Sequence, residues 1–290
     1  MMSSRQKTVL IIIGLVILAL GVVIHLTLRS TAMGEYAKEK IIAVAGTQGI
    51  PLRIDRTSCG WTGCEAQGVS VVIPHAFSYL RLDEVSVAPR IASIAHWVPE
   101  MGIDGRTYGG RFKGTFSRSV STLRGSFSAS GLQASEIPQL SGIGITGGSV
   151  DIDVRDIEIG PGGIHCAPGR VTVVKASKPQ KTTLPPLLTG LPVPIDIPSV
   201  GELNLAVTFL LEGGKLQVSE GELSGSFGKV SLKGEVAGRL SAPLLITGRA
   251  DLTQEGVRNV TMFGGPASPR FEFRVAGTAA APDFSTKPLP

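Results

Sequence analysis

The sequence predicts a mainly β protein: one N-terminal transmembrane helix, then a curved, largely antiparallel sheet, an open, twisted half-barrel with one or two short helices. Three observations point there. Glycine supplies 37 of the 290 residues, well above the ~7% average, and each glycine inside a helix would cost about 1 kcal/mol. Alternation of period two recurs, most cleanly where Leu203, Leu205, Val207, Phe209 and Leu211 interleave with Glu202, Asn204, Ala206, Thr208 and Leu210. Charged residues make up only 18% and hydrophobic ones 42%, a balance that excludes disorder.

The first element is the apolar run from Val9 to Leu28, which carries no formal charge. Twenty residues at 1.5 Å rise cover ~30 Å, the hydrocarbon thickness of a bilayer. A cleaved signal peptide is the rival reading, with Ser30-Thr31-Ala32 as small residues near its end, but its apolar region is normally only ~7–15 residues. An uncleaved anchor is therefore expected. Arg5 and Lys7 precede the run, which places residues 1–8 in the cytoplasm and the rest outside it. These bases and Arg29 lie in the first 29 residues, which hold no acid, so much of the net charge of +5 sits there. The remainder is nearly balanced and shows no basic–aromatic platform, which excludes nucleic acid as a partner.

Beyond the anchor, residues 29–178 read as a first periplasmic β half with short helices. Tyr36, Ala37, Ile41, Val44 and Ala45 form a helical stripe within Gly34–Gln48, and Pro51 stops it. Residues 51–59 read as a strand, and Ile91, Ile94, Ala95 and Val98 as a helix between Pro89 and Pro99. From Ile103 on, glycines punctuate alternating text. Val150, Ile152 and Val154 share a strand face, and the phase then moves to Ile157 and Ile159, which calls for a bulge near Asp156. Six prolines in residues 179–198 mark 179–200 as a linker or edge loop. Residues 201–276 form a second, meandering β half, and 277–290 a C-terminal tail.

Cys59 and Cys64 flank Gly60-Trp61-Thr62-Gly63, a segment suited to a tight turn. A small disulfide loop, reduced buried thiols and a metal knuckle are the three readings of this pair. The knuckle lacks nearby ligands, since only His165 and Cys166 remain, and Cys166 itself reads as a small buried hydrophobe. Several other patterns imitate chemistry. Gly142-Ile-Gly144-Ile-Thr-Gly147 spells the dinucleotide fingerprint, yet strand text follows where a helix is needed. Asp151 and Asp153 belong to a solvated strand face rather than to a calcium loop. His25, His75, His96 and His165 never approach metalloprotease spacing, and no nucleophile elbow or phosphate loop occurs. The reading is a protein without catalytic, metal or cofactor residues.

The order of features resembles a known group. An anchor, a short helix and a strand lead into VSVAPRIASIAHWVPEMGIDGRTYGGRFKGTF; GGKLQVSEGELSGSFGKVSLKGEVAGRLSAPLLITGRADL and a terminal FEFRVAGTAAAPDF follow. This is similar to type II secretion system protein N, within the AsmA-like group of envelope proteins, over residues 34–284. The resemblance implies a single-pass inner-membrane protein with a periplasmic bulk, partnering other type II secretion components. The alternative it implies is an AsmA-like protein whose apolar groove binds or transfers phospholipid. Leu203, Leu205, Val207, Phe209, Leu211, Phe271 and Phe273 are the candidate lining, from the alternation.

Overall fold

The computed structural model describes residues 31–47, 51–60, 63–73, 78–90, 100–118, 122–160, 163–179, 182–184, 195–197, 199–213, 215–237, 243–262, 268–278 and 281–290. The expected span at 9–28 and the expected helix at 91–98 lie outside these residues. Among the described residues no helix is long and apolar enough to cross a membrane. The fold is mainly β and antiparallel, with few helices. Its contacts separate two compact units, Met1–Pro89 and Arg90–Pro290.

In the first unit, helix α1 (Thr31–Thr47) precedes strands β1 (Leu52–Arg53), β2 (Arg56–Gly60), β3 (Gly63–Ile73) and β4 (Ser78–Pro89). Strands β1 and β2 both pair antiparallel with β3, at Leu52↔Val71 and Cys59↔Cys64. The stretch expected as one strand is thus interrupted at Ile54–Asp55. The cause lies opposite: Gly68 adopts φ +63°, and a side chain there would meet the Asp55 carboxylate. Helix α1 packs on β2 so closely that a Cβ on Gly34 would strike the Thr57 carbonyl. The apolar stripe faces away from the strand, with Tyr36 62% and Val44 62% exposed. Close backbone approach, not the larger side chains, decided which face packs.

Beneath that helix the Thr57 hydroxyl is buried with no hydrogen-bond partner. An orphaned buried polar group costs about 1–3 kcal/mol. Thr57→Val keeps the branched shape and removes the orphan, so it is expected to stabilise the protein by about 1 kcal/mol. Thermal denaturation of the full chain checks this; an unchanged or lower midpoint would contradict it.

The second unit is a sheet of neighbouring antiparallel strands. They are β5 (Glu100–Thr107), β6 (Gly110–Arg118), β7 (Leu123–Gln133), β8 (Ser149–Gly160), β9 (Gly163–Lys178), β12 (Val200–Glu212), β13 (Lys215–Gly225), β14 (Gly228–Ala237), β15 (Leu244–Leu252), β16 (Arg270–Thr278) and β17 (Ala281–Pro288), in that spatial order. The small hairpin β10 (Thr182–Leu184) and β11 (Ile195–Ile197) stands apart as its own sheet. Tyr108 (φ 47°) and Gly109 (φ 72°) make the two-residue turn that joins β5 to β6. This mirror-image turn follows the right-handed strand twist. The anticipated bulge is present: register shifts between Val154 and Glu158, with Asp156 at φ 50°.

Two expected boundaries change. Residues 179–200 do not separate two halves, because β9 and β12 are direct hydrogen-bonded neighbours over Val200–Glu212. The proline-rich text instead holds β10 and β11, with 185–194 outside the described residues. The supposed tail is largely strand β17, pairing from Thr278↔Ala281 to Phe271↔Pro288. Leu289 N–H donates to the Arg270 carbonyl at 2.9 Å. Counting back by twos, Lys287, Ser285 and Asp283 point their amides at β16, while Pro282, Phe284, Thr286 and Pro288 point outward. Both prolines therefore occupy positions where no ladder donor is lost. They also leave the outer edge with amides only at Phe284 and Thr286, a guarded edge that resists strand addition.

Candidate functional site

Register gives the long sheet of the second unit one apolar and one polar face. Direct partners link Phe112, Ala129, Ile152, Val171 and Val207 in one row. The row continues through Gly221, Leu232, Gly248 and Phe273. A parallel row runs Leu132, Val150, Val173, Leu205, Leu223, Val230, Ala250 and Phe271. On the opposite face lie the ion pairs Arg124–Glu158 (3.1 Å), Arg155–Asp153 (2.8 Å), Lys215–Glu235 (2.9 Å), Lys229–Glu222 (2.9 Å) and Arg270–Asp251 (3.5 Å).

The apolar face is packed at one end and open elsewhere. Toward the strand ends where the 134–148 connection and helix α3 (Gln254–Met262) fold back, side chains are buried: Leu132, Val150, Ala176, Ala250, Leu252 and Phe271. The connection carries a 3-10 turn (Ala134–Glu136) and a short helix α2 (Pro138–Gly142), and it buries Ala134 and Ile145. Helix α3 sets Val257 against the cluster of Ala250, Leu252 and Phe271, with Phe227, Val230 and Phe273 around it. Thr253 starts that helix: its Oγ1 accepts from Gly256 N–H at 3.2 Å and donates to the Ser226 carbonyl at 2.8 Å. Along β12, Leu203 and Leu205 lie in register with the buried Ala176 and Val173, and Val207, Phe209 and Leu211 run away from this end; all five are half-buried. No large side chain among the described residues is completely buried.

Glycines shape this face by letting large side chains lie flat. A Cβ on Gly169 would come within 2.6 Å of the Phe209 ring, and one on Gly125 within 2.5 Å of the Phe116 ring. The same relation joins Gly248 to Phe273 and Gly221 to Leu232. Aromatic rings over cross-strand glycines cover backbone that would otherwise meet water. The high glycine count thus serves a thin apolar surface as well as turns.

Of the residues singled out from sequence, the five of β12 and Phe273 share the apolar face. Phe271 belongs to the packed end at 4% exposure, and so is core rather than lining. Leu216, Val218, Leu223, Leu232, Ile246 and Val275 lie on the same face through register. Their alternation in KLQVSEGEL, KVSLKGEVAG and LLITGRADL is the signal that finds them.

Two depressions open on the polar side. One, of about 780 Å³, is lined chiefly by Lys113, Thr115, Arg124, Ser126, Asp153, Arg155 and Glu158. Within it Arg124 pairs with Glu158 and Arg155 with Asp153. Asp153, through its hydrogen bond and its charge, holds the Arg155 guanidinium above its usual pKa. The other, of about 650 Å³, lies over β14–β17.

The cysteines fall in the first unit. Cys59 and Cys64 face each other across β2 and β3 with Cα atoms 4.0 Å apart and their sulfurs joined. Cys166, expected to be buried, is free and half-buried. Non-reducing mass spectrometry of the native protein is expected to find Cys59 and Cys64 linked; two free thiols there would refute this. So short a loop removes little chain entropy, and loss of the bond is expected to cost about 2 kcal/mol.

The dinucleotide-like glycines 142–147 form a turn that leads into strand β8, not into a helix. Asp151 accepts the Gly131 amide at 2.7 Å from an exposed position. Among the described residues no three His, Cys, Asp or Glu side chains gather as metal ligands. No protein-family model matches the chain, and no characterised protein or solved structure matches it either.

Proposed function

We propose that this chain is a non-catalytic, membrane-anchored envelope protein whose second unit holds phospholipid acyl chains on the apolar face of its sheet, curved as an open half-barrel. The observation that carries this is the continuity of that face. It crosses neighbouring strands without a break, is packed at one end by α3 and the 134–148 connection, and carries half-buried side chains over much of the rest, Val207, Phe209, Leu211 and Phe273 among them. Contiguous exposed apolar surface of this kind marks a partner or ligand site. An alkyl chain suits it because aliphatic and ring surfaces continue along several strands with no interposed charge.

The resemblance in sequence supports a second reading: a periplasmic component of the type II secretion machinery, anchored in the inner membrane and contacting other subunits. Here the same face would take a protein partner. Strand addition at β17 suits this poorly, because Pro282 and Pro288 guard that edge.

A photoreactive benzophenone amino acid at Val207 of the full chain, in cells fed labelled phosphate, separates the two. The lipid reading expects labelled phospholipid adducts from that site and none from Ser128 on the polar face, in register with Asp153. Protein adducts alone at Val207 would transfer the site to the secretion reading. Topology is a separate expectation. A reporter fused after Thr31 should be active only when exported, and a mature protein beginning near Met33 would refute the anchor.

A further inference from the structure

We propose that the depression on the polar face of β14–β17 binds a phosphorylated anion. The site lies on the opposite side of the sheet from the acyl-chain face and does not depend on that reading.

Register builds it. Arg249 of β15 sits opposite Glu272 of β16, which sits opposite Lys287 of β17. One step along, Lys233 of β14 sits opposite Thr247, and Thr247 opposite Arg274. These side chains line a depression of about 650 Å³, together with Glu220. Four cations thus meet two carboxylates. Neighbouring bases on this face are matched: Lys229 by Glu222, Lys215 by Glu235 and Arg270 by Asp251. Among the described residues no ion pair holds Lys233, Arg249, Arg274 or Lys287. The larger depression makes the contrast, since its three bases, Lys113, Arg124 and Arg155, meet four acids, Glu100, Asp153, Asp156 and Glu158, and Arg124 and Arg155 are paired.

The spacing selects phosphate chemistry. Diagonal neighbours on adjacent strands lie ~7–8 Å apart, so the two guanidinium groups can converge on a single phosphate. Their forked donors fit its oxygens better than an ammonium does. Strands repeat every ~4.8 Å and rise ~3.4 Å per residue, so Lys233 and Lys287, three strands and two residues apart, stand ~16 Å from each other and can take further anionic oxygens. The Thr247 hydroxyl lies between Lys233 and Arg274. Two sources offer this chemistry: a phospholipid headgroup, or a free phosphate ester.

Calorimetry on the full chain in a neutral detergent, at low salt, tests the site with two probes, inorganic pyrophosphate and dihexanoyl phosphatidylglycerol. At least one is expected to bind, and added salt should weaken it. Arg249→Gln with Arg274→Gln should weaken binding about tenfold or more, a loss of about 1.4 kcal/mol or above. Arg155→Gln, in the self-paired depression, should leave it unchanged. Glu272→Gln should tighten binding several-fold, a gain that a misfolded variant cannot give. Lipid binding at least about tenfold tighter than pyrophosphate assigns a headgroup; the reverse order assigns a free phosphate. Absence of binding by both probes, an unaltered affinity in the double variant, or weaker binding by Glu272→Gln would overturn the proposal.

Discussion

Val207→Asp is expected to leave the sheet folded and to abolish labelled phospholipid adducts at a photoreactive Leu205. Val207 lies in the middle of the apolar face, directly opposite Val171 on one side and Gly221 on the other. It is half-buried. In a sealed core an unpaired carboxylate would cost several kcal/mol and unfold a marginal domain. On an open face the carboxylate keeps water, and the cost falls to about 1–2 kcal/mol, a midpoint drop of a few degrees for a unit of this size. The ligand suffers far more, because an alkyl chain would have to strip that water. Adduct yield should fall at least tenfold while strand circular dichroism persists. Global unfolding by this one substitution would mean the face is a closed core. Normal folding with undiminished lipid adducts would mean that lipid lies elsewhere.

The largest stability loss is expected from Gly248→Ala. An added Cβ there meets the Ser231 carbonyl oxygen of the neighbouring strand and the Phe273 ring. The first is backbone fixed in the ladder and cannot move aside without breaking it. About 2–3 kcal/mol is expected, in the range for overpacked sites. Gly169→Ala provides the comparison, because its Cβ meets only the tip of the Phe209 ring. That ring can tilt into the open face, so the cost should be smaller by about 1 kcal/mol or more. Denaturation midpoints of the two variants decide the order. Equal losses would show that ring packing, not strand spacing, limits both sites.

Much of this architecture is legible in the sequence because alternation is local. The apolar set from Leu203 to Leu211 announces its own face, and the phase change after Val154 announces the bulge at Asp156. Other features look local but are not. Two prolines make residues 281–288 read as a tail, and only their outward positions in the β16 pairing admit them to a strand. Helix α3 leaves a faint signal, Thr253 with Glu255 two residues on, which the surrounding strand text obscures. Tyr36 and Val44 mark a helix by their spacing, yet only the close contact of Gly34 with Thr57 sets that stripe outward.

By itself the sequence determined the class of the protein: β, glycine-rich, apolar on one side of its strands, and headed by an apolar run long enough to span a bilayer. Tertiary structure alone decided what each face can do. Lys233, Arg249, Arg274 and Lys287 look like ordinary solvated positions within separate segments, and only register gathers them around one depression. Phe271 and Phe273 are two residues apart in the same alternation, yet the first is core and the second borders the open face. The reason is that period two fixes which side a residue takes. Its neighbours, and what covers it, depend on strands and a helix that arrive from elsewhere in the chain.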